Sequence, residues 1–133
     1  MYKHTLSVDR EYLAKDQALP QNTAIDGNGA VLDLRGSMGG VEIVARAASA
    51  LSIADTKSLT ITLQHKAEGG AYADLGEVFG VTAAGGAWTA AEGEILGRFV
   101  PATDVEENLK VVLTTTDAAA SGAVSVLPTY LAR

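Results

Sequence analysis

The sequence predicts an all-β domain, a sandwich or barrel of short strands, and three observations carry that expectation. Apolar residues alternate with polar ones at a period of two, the mark of strands with one buried face. Glycine-rich turn signals recur at short spacing between these runs. Of the alanine-rich stretches, where a helix would be expected from propensity alone, 45–54 carries no amphipathic stripe and 82–91 is interrupted by glycines.

Taken in chain order, the first 22 residues read as an N-terminal arm and residues 23–133 as a single β-sandwich domain. Tyr2, Leu6, Val8, Tyr12 and Leu13 stand among charges there, followed by Pro20 and a polar Gln21-Asn22-Thr23 run. An edge strand of the same sheet is the alternative for this stretch. Asp26-Gly27-Asn28-Gly29 reads as a tight turn, since Asn-Gly and Asp-Gly tolerate the positive φ of hairpin turns. Residues 30–34 form a short candidate strand, closed by glycines at 36, 39 and 40. Val41, Ile43 and Ala45 then alternate with Glu42, Val44 and Arg46.

The clearest strand is 58–65, with Leu59, Ile61 and Leu63 on one face against Thr60, Thr62 and Gln64. Residues 75–81, 87–91 and 95–100 are shorter or weaker candidates. Residues 108–115 put Leu109, Val111 and Leu113 opposite Lys110, Val112 and Thr114, and a last strand runs over 123–127. Short helical turns compete only within 45–54 and 82–91, and Gly85 and Gly86 interrupt the second.

Length and composition bound the rest. A chain of 133 residues and 13.7 kDa is one domain's worth of material, large enough to fold on its own core. Cysteine is absent, which removes disulfides, thiolate metal sites and cysteine nucleophiles together. The net charge is −6 and is uneven: residues 1–67 balance seven acids with seven bases, while 68–133 hold nine acids against three. Nucleic acid is not an expected partner, because a phosphate backbone must be met by clustered Lys and Arg. No apolar run is long enough for a signal peptide or a membrane span, so the expectation is a soluble chain made in the cytoplasm, without a membrane partner.

Candidate chemistry is sparse. The two histidines, His4 and His65, have no partners at ligand spacing, and His65 is read on the polar face at the end of its strand. Asp104, Glu106 and Glu107 cluster, as do Glu92 and Glu94, and each set reads as a solvated turn rather than as a pair of hydrolytic carboxylates. No Gly-x-Ser-x-Gly elbow and no phosphate-binding glycine loop appears. No catalytic residue, metal or cofactor is expected. Trp88 reads as a core anchor, although with Tyr72 it would serve the alternative function of a carbohydrate-binding β sandwich. Tyr2 and Tyr12, outside any strand pattern, hint at a protein interface.

The run from Gly97 to Leu131, GRFVPATDVEENLKVVLTTTDAAASGAVSVLPTYL, resembles the C-terminal part of small tailed-phage capsid cement (decoration) proteins. The shared features are an arginine–aromatic–proline strand end, a short polar turn, and a strand pair split by a glycine-containing loop. Glu107-Asn108-Leu109-Lys110 departs from the family pattern, which places an arginine there. The resemblance implies a jelly-roll-like antiparallel sandwich that assembles as a dimer or trimer. Such a protein sits on the outside of the mature capsid and bridges major capsid proteins without doing chemistry. In that setting the arm is expected to contact a neighbour through Tyr2, Leu6, Tyr12 and Leu13 as apolar anchors, with Arg10 as a charge contact.

Overall fold

The computed structural model describes residues 5–6, 12–29, 31, 41–101 and 108–131. It is an antiparallel β sandwich, and no helix occurs among the described residues. Among the described residues eleven strands follow in order: β1 Thr5–Leu6, β2 Ala14–Ala18, β3 Ala24–Asp26, β4 Val41–Ala47, β5 Leu51–Ile53, β6 Ser58–Lys66, β7 Ala73–Thr82, β8 Trp88–Ala90, β9 Ile95–Phe99, β10 Asn108–Thr115 and β11 Ala123–Leu131.

The topology is a long hairpin rolled up. Leave aside the short β1 and the β5–β8 pair, and the remaining strands match first with last, inward in order. β2 pairs with β11, β3 with β10, β4 with β9 and β6 with β7, all antiparallel. The hairpin tip lies between β6 and β7, where Gly70 N–H donates to the Ala67 carbonyl at 2.9 Å. Lateral pairing of β11 with β4, and of β10 with β6, then joins these ribbons into two sheets. One sheet runs β1-β11-β4-β9 with β2 also on β11, and the other runs β3-β10-β6-β7. This is the jelly-roll arrangement.

The period-two pattern predicts the core correctly. Val41, Ile43, Ala45, Ala47, Val124 and Val126 line the inner face of the first sheet. Leu59, Ile61, Leu63, Leu109, Val111 and Leu113 line that of the second, and every one of these twelve is at most 1% exposed. Each valine, leucine or isoleucine among them contributes about 1.5–3 kcal/mol of burial relative to remaining in water. The β5–β8 pair adds Leu51 and Ile53, so the alanine-rich stretches at 45–54 and 82–91 are strand and connection, not helix. His65 has the parity of Leu63 and lies opposite Leu109, which corrects its expected place on the polar face. It is half-buried at one end of the interior.

The two sheets meet along both sides, and glycine permits each meeting. On one side, a Cβ at Gly97 of β9 would collide with the Val78 carbonyl of β7, and a Cβ at Gly76 would collide with the Phe99 ring. On the other side, Cβ atoms at Gly27 and Gly29 would strike the Leu13 and Tyr12 carbonyls. Asp26-Gly27-Asn28-Gly29 is therefore not the expected tight turn. Asn28, Gly27 and Gly29 are absent from the positive-φ positions, and the segment runs on from β3 between the sheets. Gly27 N–H donates to the Val111 carbonyl at 2.8 Å in one sheet, and Gly29 N–H donates to the Leu13 carbonyl at 3.0 Å in the other. The candidate strand at 30–34 and the glycines at 36–40 lie outside the described residues, apart from Val31.

Candidate functional site

The sequence places its contact residues in the N-terminal segment, and the structure divides that segment in two. Tyr2 and Arg10 lie outside the described residues, as does the Leu6 side chain. The Leu6 backbone pairs with Tyr130 in β11, and Thr5 pairs with Leu131. Tyr12 and Leu13, by contrast, are committed to their own chain. Leu13 is 1% exposed within the core cluster, and its N–H donates to the Val126 carbonyl at 2.8 Å. Tyr12 is 9% exposed, and its hydroxyl accepts from Arg46 Nη2 at 3.2 Å. Both side chains are buried within their own chain, and β2, which lies within residues 1–22, is part of the first sheet.

Residues 14–22 are fixed by a set of polar contacts that the sequence did not advertise. The Asn28 side chain grips the Lys15 main chain from both sides: Lys15 N–H donates to Oδ1 at 2.9 Å, and Nδ2 donates to the Lys15 carbonyl at 3.1 Å. Gln17 returns the arrangement. Asn28 N–H donates to Gln17 Oε1 at 2.7 Å, and Gln17 Nε2 donates to the Asp26 carbonyl at 3.0 Å. Two amide side chains thus do the work of a backbone ladder between β2 and the chain leaving β3. Gln17 is only 7% exposed, so each of these bonds matters more than it would in water.

Farther along, the loop after β10 closes on residues 20–23. Thr115 Oγ1 donates to the Pro20 carbonyl at 2.6 Å, and Asn22 N–H donates to the Asp117 carbonyl at 3.1 Å. Asp117 is itself an organising carboxylate, 4% exposed. Its Oδ2 accepts from Ala54 N–H and its Oδ1 from Ala119 N–H, both at 2.8 Å. These two donors, Ala54 first, hold the carboxyl below its usual range against the opposing effect of burial. The position ties β5, β10 and the N-terminal segment together.

Among the described residues, the other candidates do not assemble into a reactive site. Asp104, Glu106 and Glu107 lie outside the described residues. Glu94 Oε1 accepts from Ala91 N–H at 3.1 Å, a local turn contact, and Glu92 is exposed. Trp88 is half-buried against Phe79, with ring centroids 5.5 Å apart, and packs on the core. Tyr72 lies under two ammonium groups, Lys110 Nζ at 4.2 Å and Lys66 Nζ at 5.0 Å from its ring centroid. The two aromatics cannot share a platform: Tyr72 precedes β7 and Phe79 lies near its far end, about 20 Å away at strand rise. Among the described residues there is no cleft and no group of three acids or histidines arranged to hold a metal ion.

What the geometry offers is an edge. β11 is paired along one side by β4, and along the other by β2 and then β1. Because Leu13 N–H meets the Val126 carbonyl, even-numbered residues of β11 turn their backbone groups toward this second side. Pro128 is two residues farther on and has no N–H to give there. The proline falls in the interval between the two pairings, which accounts for its tolerance inside a nine-residue strand. Comparison with protein-family models, curated proteins and solved structures finds no match to this chain.

Proposed function

We propose that this chain is a non-enzymatic structural protein of a tailed-phage virion, one that binds the outer surface of the mature capsid and stabilises contacts between major capsid proteins. The likeness of residues 97–131 to capsid cement proteins supports the reading, and those residues span β9, β10 and β11. Jelly rolls serve in viral capsids as well as in lectins. The observation that carries it is the division of the N-terminal segment. Residues 12–22 are locked into the sandwich, whereas Thr5–Leu6 occupies the outermost position of a sheet through two residue pairs. A strand at the margin of a sheet is what augmentation of a neighbouring protein requires.

Such a protein acts by linkage. A ligand that binds only the expanded shell lowers its free energy by RT ln(1 + [L]/Kd), about 2.7 kcal/mol per site at a hundredfold excess over Kd. Repeated over the shell, that opposes internal pressure. Because Tyr12 and Leu13 are buried in their own chain, the proposed contact set is Tyr2, Leu6 and Arg10. Cosedimentation with purified shells of the phage that encodes the chain tests the proposal. Binding to expanded shells and not to unexpanded ones is expected. Failure to bind either form would contradict it.

A further inference from the structure

We infer that Asn28-Gly29 is a covalent modification site, where the fold holds back a deamidation that opening of the β2 seam releases. Deamidation is an attack by the main-chain nitrogen after an asparagine on that asparagine's own side-chain amide carbon. Glycine in the following position leaves the nitrogen unshielded by a Cβ, which makes Asn-Gly the dipeptide most prone to it. The fold requires both residues. A Cβ at position 29 would strike the Tyr12 carbonyl, so glycine is needed there. The side chain at position 28 accepts from Lys15 N–H at 2.9 Å and donates to the Lys15 carbonyl at 3.1 Å. An amide makes that pair of bonds and a carboxylate cannot. Packing at the seam therefore writes a reactive dipeptide into the chain.

The same contacts hold it unreactive. The attacking nitrogen is that of Gly29, whose N–H is engaged by the Leu13 carbonyl at 3.0 Å. The leaving nitrogen is Asn28 Nδ2, fixed on the Lys15 carbonyl, and Asn28 N–H is held by Gln17 Oε1 at 2.7 Å. Asn28 is nonetheless exposed, so solvent reaches the site as soon as these bonds part. Solvent base then takes the Gly29 amide proton, and the nitrogen bonds to Asn28 Cγ. The Cγ–Nδ2 bond breaks, and Nδ2 leaves as ammonia with a proton taken from water. Water opens the resulting cyclic imide at one carbonyl or the other, giving aspartate or isoaspartate. Either product weakens the seam. A carboxylate sets an oxygen against the Lys15 carbonyl with no proton between them. Isoaspartate lengthens the main chain by a carbon and shifts Gly29 N–H from Leu13. Opening is thus made permanent by the reaction it permits.

The natural chain, folded and in guanidinium chloride, is incubated at mildly alkaline pH beside folded Gln17→Ala. Peptide mapping follows Asn28 by the mass gain of amide-to-acid conversion and by isoaspartate content. The mass gain separates this reaction from isomerisation at Asp26-Gly27, which leaves the mass unchanged. Conversion in the folded natural chain is expected at least about tenfold slower than in denaturant, because it waits on opening of the seam, with Gln17→Ala faster than the natural chain. Equal rates in the folded and denatured chain would overturn the inference, as would a Gln17→Ala rate no faster than the natural one. Asn28→Asp supplies the aspartate product directly and is expected to speed hydrogen exchange at residues 14–18 ahead of the rest of the first sheet. Unchanged exchange there would overturn the inference as well.

Discussion

Two stretches of the N-terminal segment run along the same side of β11, and they are held by different means. Ala14–Ala18 is anchored by the buried Leu13 before it, the reciprocal Gln17 and Asn28 amides beside it, and the Asp117 loop beyond it. It even accommodates Asp16 at positive φ, as the loop after it does Asn22, conformations that persist only where the surroundings over-determine them. Thr5–Leu6 has two residue pairs. Strand pairing alone therefore says little about attachment. What fixes Ala14–Ala18 is a side chain in the core and polar groups satisfied across the seam.

The largest expected effect lies at Leu13. Truncation to alanine removes a side chain that is 1% exposed in the core cluster and should cost about 2–5 kcal/mol, read as a lower urea midpoint. A loss below about 1 kcal/mol would return this residue to the arm. Next comes Gln17→Ala, which strands Asn28 N–H and the Asp26 carbonyl at the seam. It should cost about 1–3 kcal/mol, with hydrogen exchange accelerated at residues 14–18 before the rest of the sheet. Uniform acceleration throughout the sandwich would deny the seam a local role.

Asp117 sharpens the comparison through pH. Its carboxyl titrates lower in the folded chain than in the unfolded one, so the unfolded chain takes up the proton first. The stabilisation is complete above the ordinary aspartate range, near pH 4, and is lost as pH falls through the lowered folded value. Urea midpoints of the natural chain and Asp117→Asn should differ at neutral pH and converge in acid. Parallel curves would mean that the two backbone donors to Asp117 do not stabilise its charge.

Much of this fold was legible because burial on one face writes a period of two. Residues 41–46, 58–65 and 108–115 declare themselves that way, and β4, β6 and β10 answer to them. β2 does not: AKDQA has no apolar alternation, and a bulge at Lys15–Asp16 breaks its register. β5 hides in an alanine-rich run, and β11 continues four residues past the expected end, beyond a proline that usually marks a strand's margin. Asp26-Gly27-Asn28-Gly29 misleads for a physical reason, since glycine serves both positive φ and close backbone approach. Only the tertiary structure distinguishes the two.

The candidate contact residues were less legible. Tyr12 and Leu13 have the same apolar character whether they anchor a partner or a core, and the sequence gives no sign of which. The amide grip of Gln17 and Asn28 joins residues eleven apart through side-chain to main-chain bonds, a pairing without any pattern in composition or spacing.

The division of labour within the N-terminal segment is tested most directly by two truncations compared side by side for thermal unfolding and for cosedimentation with expanded shells. Removal of residues 1–6 should cost about 1 kcal/mol, a few degrees in Tm, and abolish shell binding. Removal of residues 1–13 takes Leu13 with it and should unfold the sandwich at far lower temperature. Unfolding by the shorter truncation, or shell binding that survives it unchanged, would contradict the account.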